Sequence, residues 1–223
     1  TQAARVARDR HFAVLMPEQA REANPQRCWN WFGPAIQVEL EVQILMSLID
    51  QVRARYPRCG GPLFALGLSA GGALATTLAL HRPERFAAVG SHSGAAPESA
   101  TTPLQAAQVM QGRRTPDTAA AVHRLHHHAL PPLILIQGDA DGVVAPSNAA
   151  ATAALWRASL PAGTVLRASQ GEIRRGSRLP VQRQDWRREG RPWLRLLTIA
   201  GLGHAWSGGA GGLAFSEPRG PDA

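Results

Sequence analysis

The stretch that decides the fold is Gly67-Leu68-Ser69-Ala70-Gly71-Gly72, which lies between an apolar run at residues 63–68 and a helical pattern at residues 73–81. A buried strand, a tight glycine turn and a helix together fit the nucleophile elbow, a strained turn that lifts a serine hydroxyl above a sheet. Ser69 would lie at a helix N-terminus, where oriented N–H groups favour developing negative charge. The same string also occurs in plain strand-to-helix connections, so the prediction of a nucleophile depends on the strand before it and the helix after it.

Strand-like and helical patterns alternate along the rest of the chain. Short apolar runs typical of buried strands lie at residues 12–16, 63–68, 86–89, 133–136 and 193–199. Helical patterns lie at residues 38–56, 73–81 and 149–160, and one or two short helices are expected between residues 95 and 129. This alternation predicts an α/β fold in one domain over residues 1–223, a mostly parallel sheet with helices on both faces.

A serine hydroxyl becomes a strong nucleophile only when a base takes its proton and a third group orients that base. Asp139 and Asp141 follow the run at residues 133–136, and His204 follows the run at residues 193–199. The order serine, acid, histidine is that of α/β-hydrolases. Either aspartate could instead form only a turn between glycines, and His204 could be a packed loop residue.

At these residues the chain resembles the esterase family that includes poly(3-hydroxybutyrate) depolymerases, a branch of the α/β-hydrolases. Beyond the elbow, the resemblance rests on the strings PEQ at residues 17–19, NPQRCWNWF at 24–32, GLGHAWSGG at 201–209 and GPDA at 220–223. The family's acid lies in a Gly-x-x-Asp-x-x-Val pattern, which Gly138, Asp141 and Val144 match. The resemblance therefore implies Asp141 as the acid.

What the resemblance implies is a serine carboxylesterase with a Ser69, Asp141 and His204 triad and the Ala70 N–H as an oxyanion donor. Its substrates would be short-chain or polymeric hydroxyalkanoate esters, or acetyl or feruloyl esters. No cofactor or metal is required. The location would be extracellular or periplasmic, although residues 1–10 lack the apolar core of a signal peptide.

The chain departs from the family pattern at both ends. Family members carry opening strands and a His-Gly-Cys loop that supplies a second oxyanion N–H, whereas this sequence contains no His-Gly dipeptide. Members also continue past residues 220–223 into a closing helix. We therefore expect an N-terminally incomplete α/β-hydrolase. A catalytically inactive remnant and a serine peptidase on the same fold remain the alternatives, and the CWNWF string at residues 28–32 favours the esterase over the peptidase.

Two sets of residues admit both a structural and a functional interpretation. Trp29, Trp31 and Trp206 could line an acyl groove, since flat amphipathic rings suit an ester chain, or they could simply pack loops onto the sheet. In the family, the Cys of the missing loop would pair with Cys28, which leaves Cys28 unpaired here. A bridge from Cys28 to Cys59 is the weaker alternative.

Charge and histidine clusters are interpreted as surface features. All 24 basic residues are arginine, the net charge is +8, and nine arginines fall within residues 167–195. Because that segment lacks any nucleic-acid motif, it is predicted to be a solvated face or surface loop rather than a nucleic-acid site. Adjacent histidines at 126–128 would point to different faces of a helix, so a solvated helix end is favoured over a metal site. No apolar stretch reaches the ~18 to 20 residues of a membrane span.

Overall fold

The computed structural model describes residues 3–124, 129–209 and 211–221. The helices are α1 (Ala3–Arg10), α2 (Ala35–Arg55), α3 (Ala70–His81), α4 (Pro103–Met110), α5 (Thr118–Arg124) and α6 (Ser147–Ala158). The strands are β1 (Phe64–Leu68), β2 (Ala88–His92), β3 (Leu133–Gly138), β4 (Arg167–Ile173), β5 (Val181–Arg188), β6 (Arg191–Ile199), β7 (Trp206–Ser207) and β8 (Ser216–Glu217).

Six strands form one sheet in the order β1-β2-β3-β6-β5-β4. The first four of these are mutually parallel, whereas β5 runs antiparallel to β6 and β4 antiparallel to β5. The predicted mostly parallel sheet is therefore confirmed. Because parallel strands end at the same edge, the loops that follow β1, β3 and β6 meet there. These loops begin at Ser69, Asp139 and Ala200.

The main core fills one face of the sheet. The helices α3 and α6 pack against the strands, and residues of α2, α3, α5 and α6 share one apolar cluster with Leu135 and Leu194. Side chains alternate across a strand, so Ile136 and Ile199 point to the other face, where they meet Leu202 in a smaller cluster. The two helices that pack against the strands, α3 and α6, both contribute to the main cluster.

The predicted strand at residues 12–16 was wrong. These residues belong to neither a helix nor a strand, and Phe12 is 51% and Met16 68% exposed. An apolar run forms a strand only when a neighbouring strand provides backbone hydrogen-bond partners. Within the described ranges the sheet ends at β1, and nothing pairs with its outer edge.

The arginine-rich segment forms β4, β5 and the beginning of β6, with a loop at residues 174–180 between the first two strands. None of its arginines is buried, so of the two predicted alternatives the solvated face describes most of the segment and the surface loop only residues 174–180. On β5 the buried residues are four positions apart, since Val181 and Asp185 are both 2% exposed. Arg195 on β6 holds Asp185 through two hydrogen bonds of 2.6 and 2.9 Å. Long arginine stems can cover a sheet while their charged ends stay in water, which allows a charged segment to build strands.

Three further expectations concern the histidine cluster, the two cysteines and membrane-spanning helices. The histidines at 126–128 fall outside the described residues. Cys28 and Cys59 are both free thiols. None of the helices that the structure describes is long and apolar enough to cross a membrane.

Candidate active site

The turn between β1 and α3 holds Ser69 in a strained conformation, with φ 55° and ψ −121°. Its N–H donates to the His92 carbonyl at 2.9 Å, which ties the turn to the end of β2. The approach of α3 to β1 leaves no room for a side chain, since a Cβ on Gly67 would lie 2.1 Å from the carbonyl carbon of Gly71. The glycine spacing therefore builds the tight turn that sequence reasoning predicted.

Ala70 is the first residue of α3. Backbone N–H groups in the first turn of a helix have no acceptor within that helix, and they stabilise a negative charge that lies close to the helix N-terminus. The Ala70 N–H therefore stands next to Ser69 as a potential donor to an oxyanion.

Asp141 and His204 meet at the same edge of the sheet, on the loops that follow β3 and β6. The Nδ1 atom of His204 lies 2.8 Å from Oδ2 and 3.1 Å from Oδ1 of Asp141. The side chain of Asp141 is 0% exposed and that of His204 is 9% exposed. An imidazole hydrogen-bonded in this way has a fixed orientation, with Nδ1 turned to the carboxylate and Nε2 available on the other side.

The surroundings of Asp141 favour its ionised form. Its Oδ1 accepts the Val143 and Val144 N–H groups at 2.9 Å each, and its Oδ2 accepts the Gln137 side-chain amide at 3.2 Å. Burial opposes ionisation, but the hydrogen bonds from the Val144 amide, His204 and the Val143 amide outweigh it and lower the pKa of the Asp141 carboxyl. A buried negative charge therefore faces the imidazole.

Asp139, the other aspartate on this loop, has a different role. It is exposed, and its Oδ1 accepts the Gly201 N–H at 2.6 Å. Asp139 thus holds the loop that follows β6, whereas only Asp141 reaches the imidazole.

The three predicted triad residues are not all connected by hydrogen bonds in the structure. Within the described part of the chain, no hydrogen bond links the Ser69 hydroxyl to the His204 imidazole. The loops bring the serine turn, the acid and the histidine to one edge of the sheet, but only the acid and the histidine are in contact.

The three predicted tryptophans occupy different environments. Trp31 is 6% exposed and packs edge-on against Phe32, in a core cluster with Ala73 of α3. Trp29 is half-buried and lies beside α3, where a Cβ on Gly71 would come within 3.8 Å of its ring. Trp206 is half-buried and stacks on His92. Trp31 is therefore a packing residue, while Trp29 and Trp206 flank the edge that carries the site.

His92 is the residue near the site that sequence reasoning missed. It ends β2, is 0% exposed, and lies close enough to Asp141 and His204 to interact with their charges. Burial lowers the pKa of His92 to about 4, so its ring is neutral near pH 7. Its position at the carboxyl end of a predicted strand is the signal that could have found it.

Among the described residues, no group of three or more His, Cys, Asp or Glu side chains is arranged to hold a metal ion. The site consists of a strained serine, a helix N-terminus and a buried carboxylate–imidazole pair.

A strand-turn-helix elbow with an aspartate and a histidine on later loops of a mostly parallel sheet defines an α/β-hydrolase. The solved structure of acetyl xylan esterase from Aspergillus awamori matches this fold with a TM-score of 0.57 and 17% identity, over 80% of this chain and 68% of that chain. SOBER1 from Arabidopsis thaliana matches 78% of this chain and 60% of its own with 19% identity and a TM-score of 0.45.

Sequence comparison identifies the family. The family model described as esterase PHB depolymerase matches residues 1–175, and the chain therefore belongs to that family. A curated relative, poly(3-hydroxyalkanoate) depolymerase C from Paucimonas lemoignei, is 27% identical over 145 residues, which are 61% of this chain and 35% of the relative. The chain thus spans about a third of that relative's length.

Proposed function

We propose that this chain is a serine carboxylesterase in which Ser69 is the nucleophile, His204 the general base and Asp141 the orienting acid. The observation that carries the proposal is the 2.8 Å hydrogen bond between His204 Nδ1 and the buried Asp141 carboxylate, at the sheet edge that also presents Ser69. Membership of the PHB depolymerase esterase family supports the same chemistry.

The reaction follows from the protonation states at the site. With its Nδ1–H donated to ionised Asp141, His204 has a free lone pair on Nε2 that takes the Ser69 proton as Oγ attacks the ester carbonyl. Asp141 stabilises the imidazolium, and the Ala70 N–H stabilises the oxyanion. His204 then protonates the leaving alcohol, and a water activated by the same base releases the acid from the acyl-enzyme. The Ser69 hydroxyl makes no hydrogen bond to the imidazole among the described residues, and in the proposed reaction this contact forms when substrate binds.

The substrate class we propose is a short-chain or polymeric hydroxyalkanoate ester. The family and the name of the Paucimonas relative support this class. Trp29 and Trp206 flank the site and are the proposed contacts for the acyl chain, whereas the burial of Trp31 leaves it a packing role. Family membership and the Paucimonas relative support an extracellular or periplasmic site of action.

A non-catalytic remnant is the second candidate, and two features of the site favour it. Ser69 and His204 share no hydrogen bond within the described residues, and Ala70 is the single oxyanion donor that we assign. Loss of one oxyanion donor typically lowers turnover by ~10² to 10³-fold.

Hydrolysis of p-nitrophenyl acetate and butyrate by the 223-residue chain tests the proposal. Ser69→Ala removes the nucleophile, and Ser47→Ala on the exposed surface of α2 is the matched control. We expect turnover by the unmodified chain and by Ser47→Ala, and none above background by Ser69→Ala, with all three equally folded by circular dichroism. A folded chain no faster than Ser69→Ala would identify the remnant, and preferential cleavage of p-nitroanilides would identify a peptidase.

A further inference from the structure

His92 connects two parts of the candidate site. Its carbonyl accepts the Ser69 N–H at 2.9 Å, so its backbone supports the nucleophile turn. Its ring reaches in another direction, because Nε2 accepts the Ser207 N–H at 3.2 Å. Ser207 lies three residues after His204. One fully buried residue thus contacts both the serine turn and the histidine loop.

These contacts define the tautomer of the ring. A backbone N–H needs a lone pair as its acceptor, so Nε2 of His92 carries no proton and Nδ1 carries the single proton of the neutral imidazole. Nδ1 lies 3.2 Å from the Ser93 hydroxyl, which accepts that proton. The ring also stacks on Trp206, with centroids 5.4 Å apart and planes inclined by 27°. Both nitrogens and one ring face are therefore occupied.

The histidine loop is short and contains glycines at 201 and 203. Before His204 it is held by Asp139, which accepts the Gly201 N–H, and at His204 by Asp141. After His204, the Phe215 carbonyl accepts the Trp206 N–H at 2.8 Å, and the His92 ring accepts the Ser207 N–H at 3.2 Å. The Asp141 contact alone fixes one ring atom of His204. Contacts on both sides of His204 are needed to fix the direction in which its Nε2 points.

We propose that His92 is a positioning residue for the esterase reaction, whose neutral imidazole accepts the Ser207 N–H and thereby aims His204 Nε2 at Ser69. This inference rests on the function proposed above. His92 itself neither touches the reacting atoms nor exchanges a proton with them. Its chemical requirement is an acceptor at the position of Nε2, and its packing requirement is a flat group against Trp206.

Two variants separate these requirements. His92→Phe keeps a flat ring against Trp206 but removes the acceptor, whereas His92→Gln offers a side-chain carbonyl near the position of Nε2. Steady-state hydrolysis of p-nitrophenyl butyrate would be measured for both, beside the unmodified chain and Ser69→Ala. We expect His92→Phe to lower kcat by ~10- to 100-fold with little change in KM, because a misaimed base slows the chemical step more than binding. His92→Gln is expected to recover most of that loss.

Amide hydrogen exchange at Ser207 supplies a readout that does not depend on turnover. Exchange should become ~3- to 10-fold faster in His92→Phe through loss of one hydrogen bond, and remain unchanged in Ser69→Ala. If the unmodified chain is no faster than Ser69→Ala, the proposed function fails, and the exchange data still decide whether His92 holds the loop. An unchanged kcat in a folded, active His92→Phe would overturn the positioning role, as would equal exchange rates in the variant and the parent. Equal losses in His92→Gln and His92→Phe would also overturn it.

Discussion

Replacing Asp141 by Asn tests the charge and hydrogen bonding of the site with almost no change in shape. Five hydrogen-bond contacts converge on the two carboxylate oxygens, from Val143, Val144, Gln137 and, twice, His204. An Asn side chain offers one oxygen and one NH₂ group. If its oxygen keeps the two backbone amides, its NH₂ faces Nδ1 of His204.

That arrangement reverses the imidazole tautomer. Nδ1 becomes an acceptor from the Asn NH₂, the ring proton moves to Nε2, and Nε2 can no longer take the Ser69 proton. In serine hydrolases this exchange of acid for amide lowers kcat by ~10⁴-fold, and a loss of ~10⁴ raises the barrier by about 5 kcal/mol. Loss of the charge-assisted bonds to the buried carboxylate should also lower the free energy of unfolding by about 1 to 3 kcal/mol.

Asp139→Asn is the matched control, since it makes the same chemical change two residues away. Its oxygen can still accept the Gly201 N–H, so activity on p-nitrophenyl butyrate should stay within a few-fold of the parent. Activity and urea unfolding would be measured for both variants. The reasoning is refuted if folded Asp141→Asn keeps more than a tenth of the parent activity, or if both variants lose activity equally.

Three further predictions concern stability. Gly67→Ala should reduce the yield of folded protein and the thermal melting temperature, because its new methyl group would lie 2.1 Å from the carbonyl carbon of Gly71; an unchanged melting temperature would contradict this. Despite burial, the flanking carboxylates raise the pKa of His81 above 6.5. The protonated ring therefore adds its full contribution to the free energy of unfolding below pH 6.5, and this contribution is lost as the pH rises through the raised pKa. Urea unfolding from pH 6 to 9 should therefore show a fall in stability that is smaller in His81→Gln, and parallel curves would disprove this. Trp156→Ala should lower the free energy of unfolding in urea by ~3 to 5 kcal/mol, because the ring is fully buried and its N–H donates to a backbone carbonyl. A decrease of less than about 1 kcal/mol would contradict this prediction.

The elements that sequence reasoning found are those determined by contacts close along the chain. The elbow depends on glycines only four residues apart, Gly67 and Gly71, and the adjoining strand and helix follow from local apolar patterns. For the same reason α2, predicted over residues 38–56, was found over Ala35–Arg55. Local steric rules and hydrophobic periodicity are sufficient for such segments.

The elements that were missed depend on partners distant in the chain. The many charged residues of β4 and β5 obscure an alternating pattern of burial, in which the buried Asp185 is neutralised by Arg195 on another strand. Residues 12–16 present the opposite case, since their composition favours a strand while the described sheet offers them no ladder. Local strand propensity does not show whether a distant residue will neutralise a buried charge or whether a neighbouring strand will be there to pair with.

The same distinction applies to the aspartates of the candidate site. Asp139 and Asp141 both follow β3 among glycines, and the residues alone left them as competitors. The turn after Asp141 distinguishes the two residues. In this turn the Val143 and Val144 N–H groups donate to the Asp141 carboxylate, which is buried, whereas Asp139 is exposed to solvent. A buried carboxylate held by two backbone N–H groups has no freedom to leave the imidazole.

The two aspartates then act on one loop. Gly138 permits the approach, because a Cβ there would lie 2.0 Å from the Leu202 carbonyl oxygen. Asp139 holds the loop at Gly201, and Asp141 holds it at His204. Several residues thus orient the imidazole: those at the end of β3 and, in our proposal, His92 at the end of β2. This explains why a pattern with Gly138 at its first position and Asp141 at its fourth carries more information than either residue alone: the glycine admits the loop, and Asp141 holds the His204 imidazole by a hydrogen bond.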